Sequence, residues 1–281
     1  MKKVNKSMSK GPLLSINLPT YNGEATIRKA LESVKAQTYK NYEIVIVDHC
    51  STDRTLEIAK EYTQKIYLDK KRLLNSRKIG LAKSKGEIIV FLSCDQVMSP
   101  TMLQKVVDMY TQQDIDMIVT EEQSFKPTTL IEKLTALDRK LVQEAYELDP
   151  YKGVILPSVY KKKLLQKIFP KFSEPLLATI TIHDHAIIYH EAYKLSRKIG
   201  LIPKAIYHDE PKTAWELFSH YMYWGKRGKA VKNVLPKEYE EMFASKMNYR
   251  LKNLTFSLNT LKILPIILIK GLGFKIGYYF G

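Results

Sequence analysis

Short apolar runs alternate with amphipathic stretches along most of this chain, and their order reads strand, helix, strand, helix. The run from Leu13 to Leu18 stops at Pro19, and Thr20-Tyr21-Asn22-Gly23 then supplies turn chemistry. Ile27, Leu31 and Val34 fall on one face of a helix, and the run Ile44 to Val47 is a second strand that delivers Asp48. Arg54 to Glu61 reads as a helix, Lys65 to Leu68 as a short strand, and Asn75 to Ala82 as a further helix. Ile88 to Leu92 is continuously apolar and too short for a helix, so it reads as a buried parallel strand, ending in Ser93-Cys94-Asp95-Gln96. Further on, the pattern predicts helices over 101–113 and 129–148, strands over 116–120 and 153–160, and a basic helix from Lys161 to Leu165. A helix opening at Thr181 to His185 and running to Ile199, a strand over 202–207 and a helix over 214–228 complete the alternation.

Alternation of this kind predicts an α/β fold with a mostly parallel central sheet flanked by helices. In such a sheet ligands bind beyond the carboxyl ends of the strands, which directs attention to Tyr21, Asp48 and Asp95. A carboxylate there accepts from a base N–H or a ribose hydroxyl, and an aromatic ring covers a base face. Asp53, just ahead of the helix 54–61, reads as a helix cap.

Pro19-Thr20-Tyr21-Asn22, Asp48 and Ser51-Thr52-Asp53, at this spacing, resemble the front of a family 2 glycosyltransferase of the GT-A (Rossmann-like) fold. The resemblance extends to about Gly228. It implies that Pro19, Thr20, Tyr21, Asn22 and Asp48 hold the base and ribose of a nucleotide-sugar, a UDP- or GDP-sugar. It makes Arg77, in a segment like the family's Arg-Asn-x-Gly helix, a phosphate or sugar contact, although Lys78 stands where Asn is frequent. The family's Asp-x-Asp metal motif corresponds to Ser93-Cys94-Asp95: the first carboxylate is replaced, and Asp95 keeps the position that contacts a divalent cation, Mg²⁺ or Mn²⁺. His208 is the implied second metal or diphosphate ligand. Asp184 matches the carboxylate that takes the proton from the acceptor hydroxyl, with His183 in place of a Glu and His185 beside it. Lys226 and Arg227 match diphosphate contacts. No Gln-x-x-Arg-Trp motif is present, which together with the lack of a transmembrane run argues for addition of a single sugar, while a base at Asp184 complementary to a cation at Asp95 suits an inverting reaction. The implied acceptor is a hydroxyl or phosphate of a lipid-linked glycan or polyprenyl phosphate at the cytosolic membrane face. The lysines 161–163 beside the expected acceptor cleft suggest an anionic acceptor.

Composition adds a partner class. The chain has 281 residues, a formal net charge of +16 and two cysteines, with a pI near 9.5; such charge implies an anionic partner. Two cysteines and no secretory leader imply a reducing, cytoplasmic compartment. Residues 1–10 read as a flexible basic tail, 11–230 as the glycosyltransferase domain and 231–281 as a helical amphipathic extension. No uncharged apolar run reaches the ~18 residues of a membrane span. The segment from Leu251 carries lysines at 252, 262, 270 and 275, is interrupted by Pro265 and ends in aromatics, which suits peripheral attachment to an anionic membrane surface. Two other readings share these features. A polyanion-binding module would use the same charge, but no zinc-finger spacing or RNP motif accompanies it, so no nucleic acid partner is expected; a nucleotidyltransferase of related fold would share the cation site. A soft-metal site at His49, Cys50 and Cys94 is a further alternative.

Overall fold

The structure, a computed structural model, describes residues 11–144, 147–152, 156–252 and 258–281. The basic tail 1–10 and the predicted strand residues 153–155 lie outside them, as does the predicted helical residue Ala145. In chain order the first half comprises β1 (Leu14–Thr20), α1 (Ile27–Lys35), β2 (Tyr42–Asp48), α2 (Thr55–Lys60), β3 (Ile66–Leu68), α3 (Leu73–Lys83), β4 (Ile88–Phe91), β5 (Gln96–Met98) and α4 (Met102–Gln112). The second comprises β6 (Met117–Ser124), α5 (Leu130–Glu144), β7 (Pro157–Lys161), α6 (Lys162–Ile168), α7 (Glu174–Thr179), α8 (Asp184–Leu195), β8 (Ile199–His208), α9 (Ala214–Lys232), α10 (Lys237–Lys252) and α11 (Leu258–Phe280).

One sheet holds all eight strands in the order β3-β2-β1-β4-β7-β6-β8-β5. β1, β2, β3 and β4 pair in parallel as the apolar runs predict, but β7 runs antiparallel to both β4 and β6, and β5 is antiparallel to β8. The sheet is therefore α/β and mixed, with its parallel character concentrated on the β1 side. Successive residues of β4 point to opposite faces, and both faces are covered: Ile88 and Val90 join α1, α2 and α4 in one core, while Ile89 and Phe91 join α3, α6, α7 and α8 in another. That double burial is why β4 carries no polar alternation.

Two departures from the sequence pattern have tertiary causes. The helix expected to reach Ile199 ends at Leu195, because the Lys198 carbonyl accepts from Asp116 N–H and Ile199 pairs with Met117. Pro265 does not interrupt the C-terminal segment; it lies inside a continuous α11 of 23 residues. Proline inside a helix costs about 3 kcal/mol, and close packing offsets that cost. A Cβ on Gly277 would stand 1.8 Å from the Met222 carbonyl oxygen and one on Gly225 2.0 Å from that of Phe274, so α9 and α11 touch backbone to backbone. By length and composition α11 is able to cross a bilayer, which the unbroken-run criterion missed. Its Leu261, Leu264, Leu268 and Leu272 form one stripe, 42–71 % exposed.

Candidate active site

The chain runs outward from β1 to β3, then returns to β4 on the other side of β1, so the sheet order reverses between β1 and β4. Two cavities open at that reversal, beyond the strand ends. A smaller one of about 280 Å³ is lined by Pro19, Thr20, Tyr21, His49, Arg72, Cys94, Asp95, Tyr223 and Arg227. A larger one of about 560 Å³ contains Ser93, Asp95, Glu122, Arg139, His183, Asp184, His185 and His208. Ser93 and Asp95 border both.

In the smaller cavity Tyr21 is exposed at the mouth, its ring centroid 5.4 Å from that of His49. The imidazole is fixed from both sides, with Nδ1 2.8 Å from the Asp69 carbonyl oxygen and Nε2 3.1 Å from Arg72 Nη1. Both ring nitrogens are thereby engaged, leaving no lone pair for a soft metal with Cys50 and Cys94. Asn22, at φ 45°, ties two loops together: its N–H donates to Ser51 Oγ and its Oδ1 accepts from Thr52 N–H. Arg72 escaped the sequence analysis, and His49 entered it only as a soft-metal ligand; the basic run 70–72 directly after β3 was the available signal for the first.

Three predicted donor contacts sit elsewhere than expected. Asp48 is fully buried, and its two oxygens accept from Ser51 N–H and Ser51 Oγ, so it holds the turn beneath the pocket instead of facing it. Arg77 is 1 % exposed. Its guanidinium donates to Asp184 Oδ2 at 3.2 Å and to the Asn17 carbonyl at 3.2 Å, and stands 3.0 Å from His185 Nε2. It therefore positions Asp184 and does not reach a donor. Lys226 is exposed beside Gly281 and is not part of the pocket lining, whereas Arg227 one residue on lines the pocket.

The arginine brings together groups 107 residues apart. Burial pushes the Asp184 pKa up, but His185 and Arg77 outweigh burial and hold the carboxyl below the usual carboxylate range. Asp184 starts α8, preceded by His183 in the left-handed region at φ 67°, and the helix N-terminus also favours its charge. The result is a carboxylate that is ionised at neutral pH and lines the larger cavity.

At its rim, Asp95 Oδ2 lies 3.1 Å from His208 Nε2, which β8 carries to the same strand end. Burial lowers the His208 pKa, but the Asp95 carboxylate overrides it and raises it to about 9. His208 Nδ1 is 2.7 Å from the Asp209 carbonyl oxygen. An imidazole whose far N–H is held by a carbonyl is the usual arrangement of a metal ligand. One carboxylate and one imidazole therefore fit a divalent cation whose shell is completed by diphosphate oxygens and water, and the nitrogen ligand shifts the preference from Mg²⁺ toward a transition metal such as Mn²⁺. Proton and cation compete for Nε2. Ser93 donates its N–H to Gln96 Oε1, and Gln96 in turn donates to Glu122, so hydrogen bonds hold the turn that carries Asp95.

Comparison with known proteins bears on the family and the fold. The family model described as Glycosyl transferase family 2 matches residues 15–169. The poly(ribitol-phosphate) beta-N-acetylglucosaminyltransferase TarS of Staphylococcus aureus is 25% identical over 228 residues, covering 74% of this chain and 37% of that protein. The crystal structure of TarS 1-349 in complex with UDP-GlcNAc superposes over 95% of this chain and 89% of that one, with a TM-score of 0.56 and 16% identity. The mannosyltransferase PcManGT from Pyrobaculum calidifontis, in complex with GDP-Man and Mn²⁺, covers 96% of this chain and 86% of its own, with a TM-score of 0.59 and 15% identity. The first curated relatives are matched over about a third of their own length, for example 35% and 37%.

Proposed function

Because this chain belongs to glycosyl transferase family 2, we propose that it transfers one sugar, with inversion, from a nucleotide-sugar to an acceptor at the cytosolic face of a membrane. The observation that carries the reading is the pairing of an ionised carboxylate, Asp184, with a candidate cation site at Asp95 and His208 across one cavity. In the reaction the bond from the anomeric carbon to the phosphate oxygen breaks, and the nucleoside diphosphate leaves with the electron pair. The acceptor oxygen bonds to that carbon and its proton passes to Asp184. Tyr21 and His49 would cover the base, and Arg227 would face the diphosphate. A divalent cation held by Asp95 and His208 would supply positive charge for the diphosphate as it leaves.

Donor binding is testable without knowledge of the acceptor. In a thermal-shift panel of UDP, GDP, UDP-GlcNAc and GDP-Man, one nucleotide class should raise Tm selectively, and more so with Mn²⁺. Saturation at a hundred times Kd corresponds to about 2.7 kcal/mol. A panel with no stabilising nucleotide would refute the reading.

The acceptor we propose is a hydroxyl or phosphate of a lipid-linked glycan or polyprenyl phosphate. Supporting a membrane location, the exposed leucine stripe of α11 is flanked by exposed Lys262 and Lys275, and α11 is packed on α9, which carries Tyr223 and Arg227 into the donor cavity. Each lysine near anionic lipid contributes about 1 kcal/mol, weakening with salt. The protein should therefore pellet with anionic vesicles at low salt, and the Leu268→Glu/Leu272→Glu variant should remain in the supernatant. Both positions are exposed, so the substitutions spare the fold. Equal pelleting by both proteins would remove the membrane from the proposal.

A further inference from the structure

Six residues along α8 from Asp184, about 9 Å by helical rise, His190 is 1 % exposed, and among the described residues neither of its ring nitrogens has a hydrogen-bond partner. Tyr151 and Tyr239 meet the imidazole edge-on, each with its ring centroid 5.3 Å away. A neutral imidazole carries one donor and one acceptor, and leaving both unmatched in the interior is costly.

Two carboxylates face Nε2. Glu238 Oε2, on α10, lies 3.7 Å from it and Glu191 Oε1, next on α8, lies 3.9 Å from it, both beyond hydrogen-bond reach. The ligand atoms of the three residues are all within 4.8 Å of one another. A tetrahedral zinc ion with bonds of ~2.0–2.2 Å sets its ligand atoms about 3.3–3.5 Å apart. The two nitrogen–oxygen spacings therefore need to close by only a few tenths of an ångström, which half-exposed Glu238 is free to supply.

The carboxylates already have a cation. Lys194 Nζ lies 2.7 Å from Glu191 Oε1 and 2.6 Å from Glu238 Oε2, the same two oxygens, and Lys171 Nζ is 3.7 Å from Glu191 Oε2. Charge is thus balanced without a metal, but as placed the ammonium satisfies the carboxylates and leaves the imidazole unmatched. A divalent ion would take all three ligands at once. The Lys194 side chain is 40 % exposed, so it can turn into water and leave no buried charge behind. Tyr239 Oη donates to Glu191 Oε1 at 3.2 Å and would orient that ligand, whereas Nδ1 has no such support, which makes the site weaker than one with a complete outer shell. One imidazole and two carboxylates suit Zn²⁺, with water as the fourth ligand, better than Mg²⁺ or Ca²⁺.

We propose that His190, Glu191 and Glu238 form a second cation site, for Zn²⁺, that pins α10 to α8, with Lys194 as the alternative occupant. The ammonium holds the two carboxylates in the absence of metal and swings into water when the ion binds. This site is separate from Asp95 and His208 and does not depend on the transfer reading.

The test titrates the full chain with Zn²⁺ by calorimetry and follows Tm, in the Asp95→Ala background so that the pocket cation site does not respond. Zn²⁺ should bind and raise Tm, and Co²⁺ in its place should show the visible absorption of a four-coordinate ion. Glu238→Gln, at a half-exposed side chain, should weaken binding by about tenfold or more, since losing even an outer-shell partner costs about 10–100-fold. Lys194→Met should act in the opposite sense, less stable without metal but binding Zn²⁺ several-fold more tightly, because no ion pairs have to be given up. His190→Phe should abolish binding; if that buried substitution prevents folding, Glu238→Gln and Lys194→Met decide the question. Zn²⁺ affinity unchanged by Glu238→Gln, or not raised by Lys194→Met, would overturn the inference.

Discussion

Asp184→Asn is expected to lower sugar transfer by about a hundredfold to ten-thousandfold, the span typical of losing a general base, while nucleoside diphosphate affinity changes by only a few-fold. The substitution keeps the shape and removes the proton acceptor. It also leaves Arg77 buried beside a neutral amide, and breaking one side of a buried pair costs about 3–5 kcal/mol. Rates therefore have to be taken well below the lowered Tm. Arg77→Met separates the two effects, since it breaks the same pair but keeps the carboxylate. With Arg77 gone, burial acts with less opposition and the Asp184 pKa rises. Transfer by Arg77→Met should then survive at alkaline pH and fall away on acidification at a higher pH than in the wild type. The sign for stability follows from the same shift. Asp184 has a depressed folded pKa, so its contribution is fully present above the ordinary carboxylate pKa of ~3.9 and is lost as the pH falls through the folded value. Transfer within a few-fold of wild type in Asp184→Asn would place the base elsewhere.

Asp95→Ala should reduce transfer by about a hundredfold or more, because a cation on the leaving diphosphate is worth several kcal/mol and each 1.36 kcal/mol is tenfold. The Mn²⁺-dependent part of the nucleotide thermal shift should disappear with it, and the cation-independent part should remain. Asp95 is partly exposed at a cavity rim and its side-chain partner is His208, so the fold has little to lose. EDTA should reproduce the variant in the wild type. Full activity in either condition would show that Asp95 and His208 are only an ion pair and that the chemistry proceeds without a divalent cation.

The elements nearest these residues were legible because their signals are local. β4 and the 44–47 stretch of β2 are uninterrupted apolar runs, β1 up to Pro19 is apolar but for buried Ser15 and Asn17, and the ends of β1 and β2 are marked by residue types suited to turns. Asp95 stands four residues past the last residue of β4, so finding the strand led to the carboxylate. β5 and α7 carried too few residues to give a period, and α11 was misread because proline was taken as a break. Its continuity depends on glycines of α9 and α11 that let two backbones meet.

The sequence by itself determined most of the strand segments, which carboxylates stand at strand ends or helix starts, and the family to which they belong, since adjacent residues and short periods encode all of these. It did not determine which of those carboxylates face the ligand. Asp48 and Asp95 follow similar strands, yet Asp48 is closed off by Ser51 while Asp95 remains at the rim opposite His208. Nor does any local pattern reveal that Arg77 reaches Asp184, that Arg139 is neutralised by Glu122 and Glu210, or that the lysines at 161–163 sit at the far end of the sheet. Each depends on contacts between distant segments and on the direction in which β7 is inserted, and in a low-dielectric interior those contacts decide whether a charge is available to a ligand or already balanced.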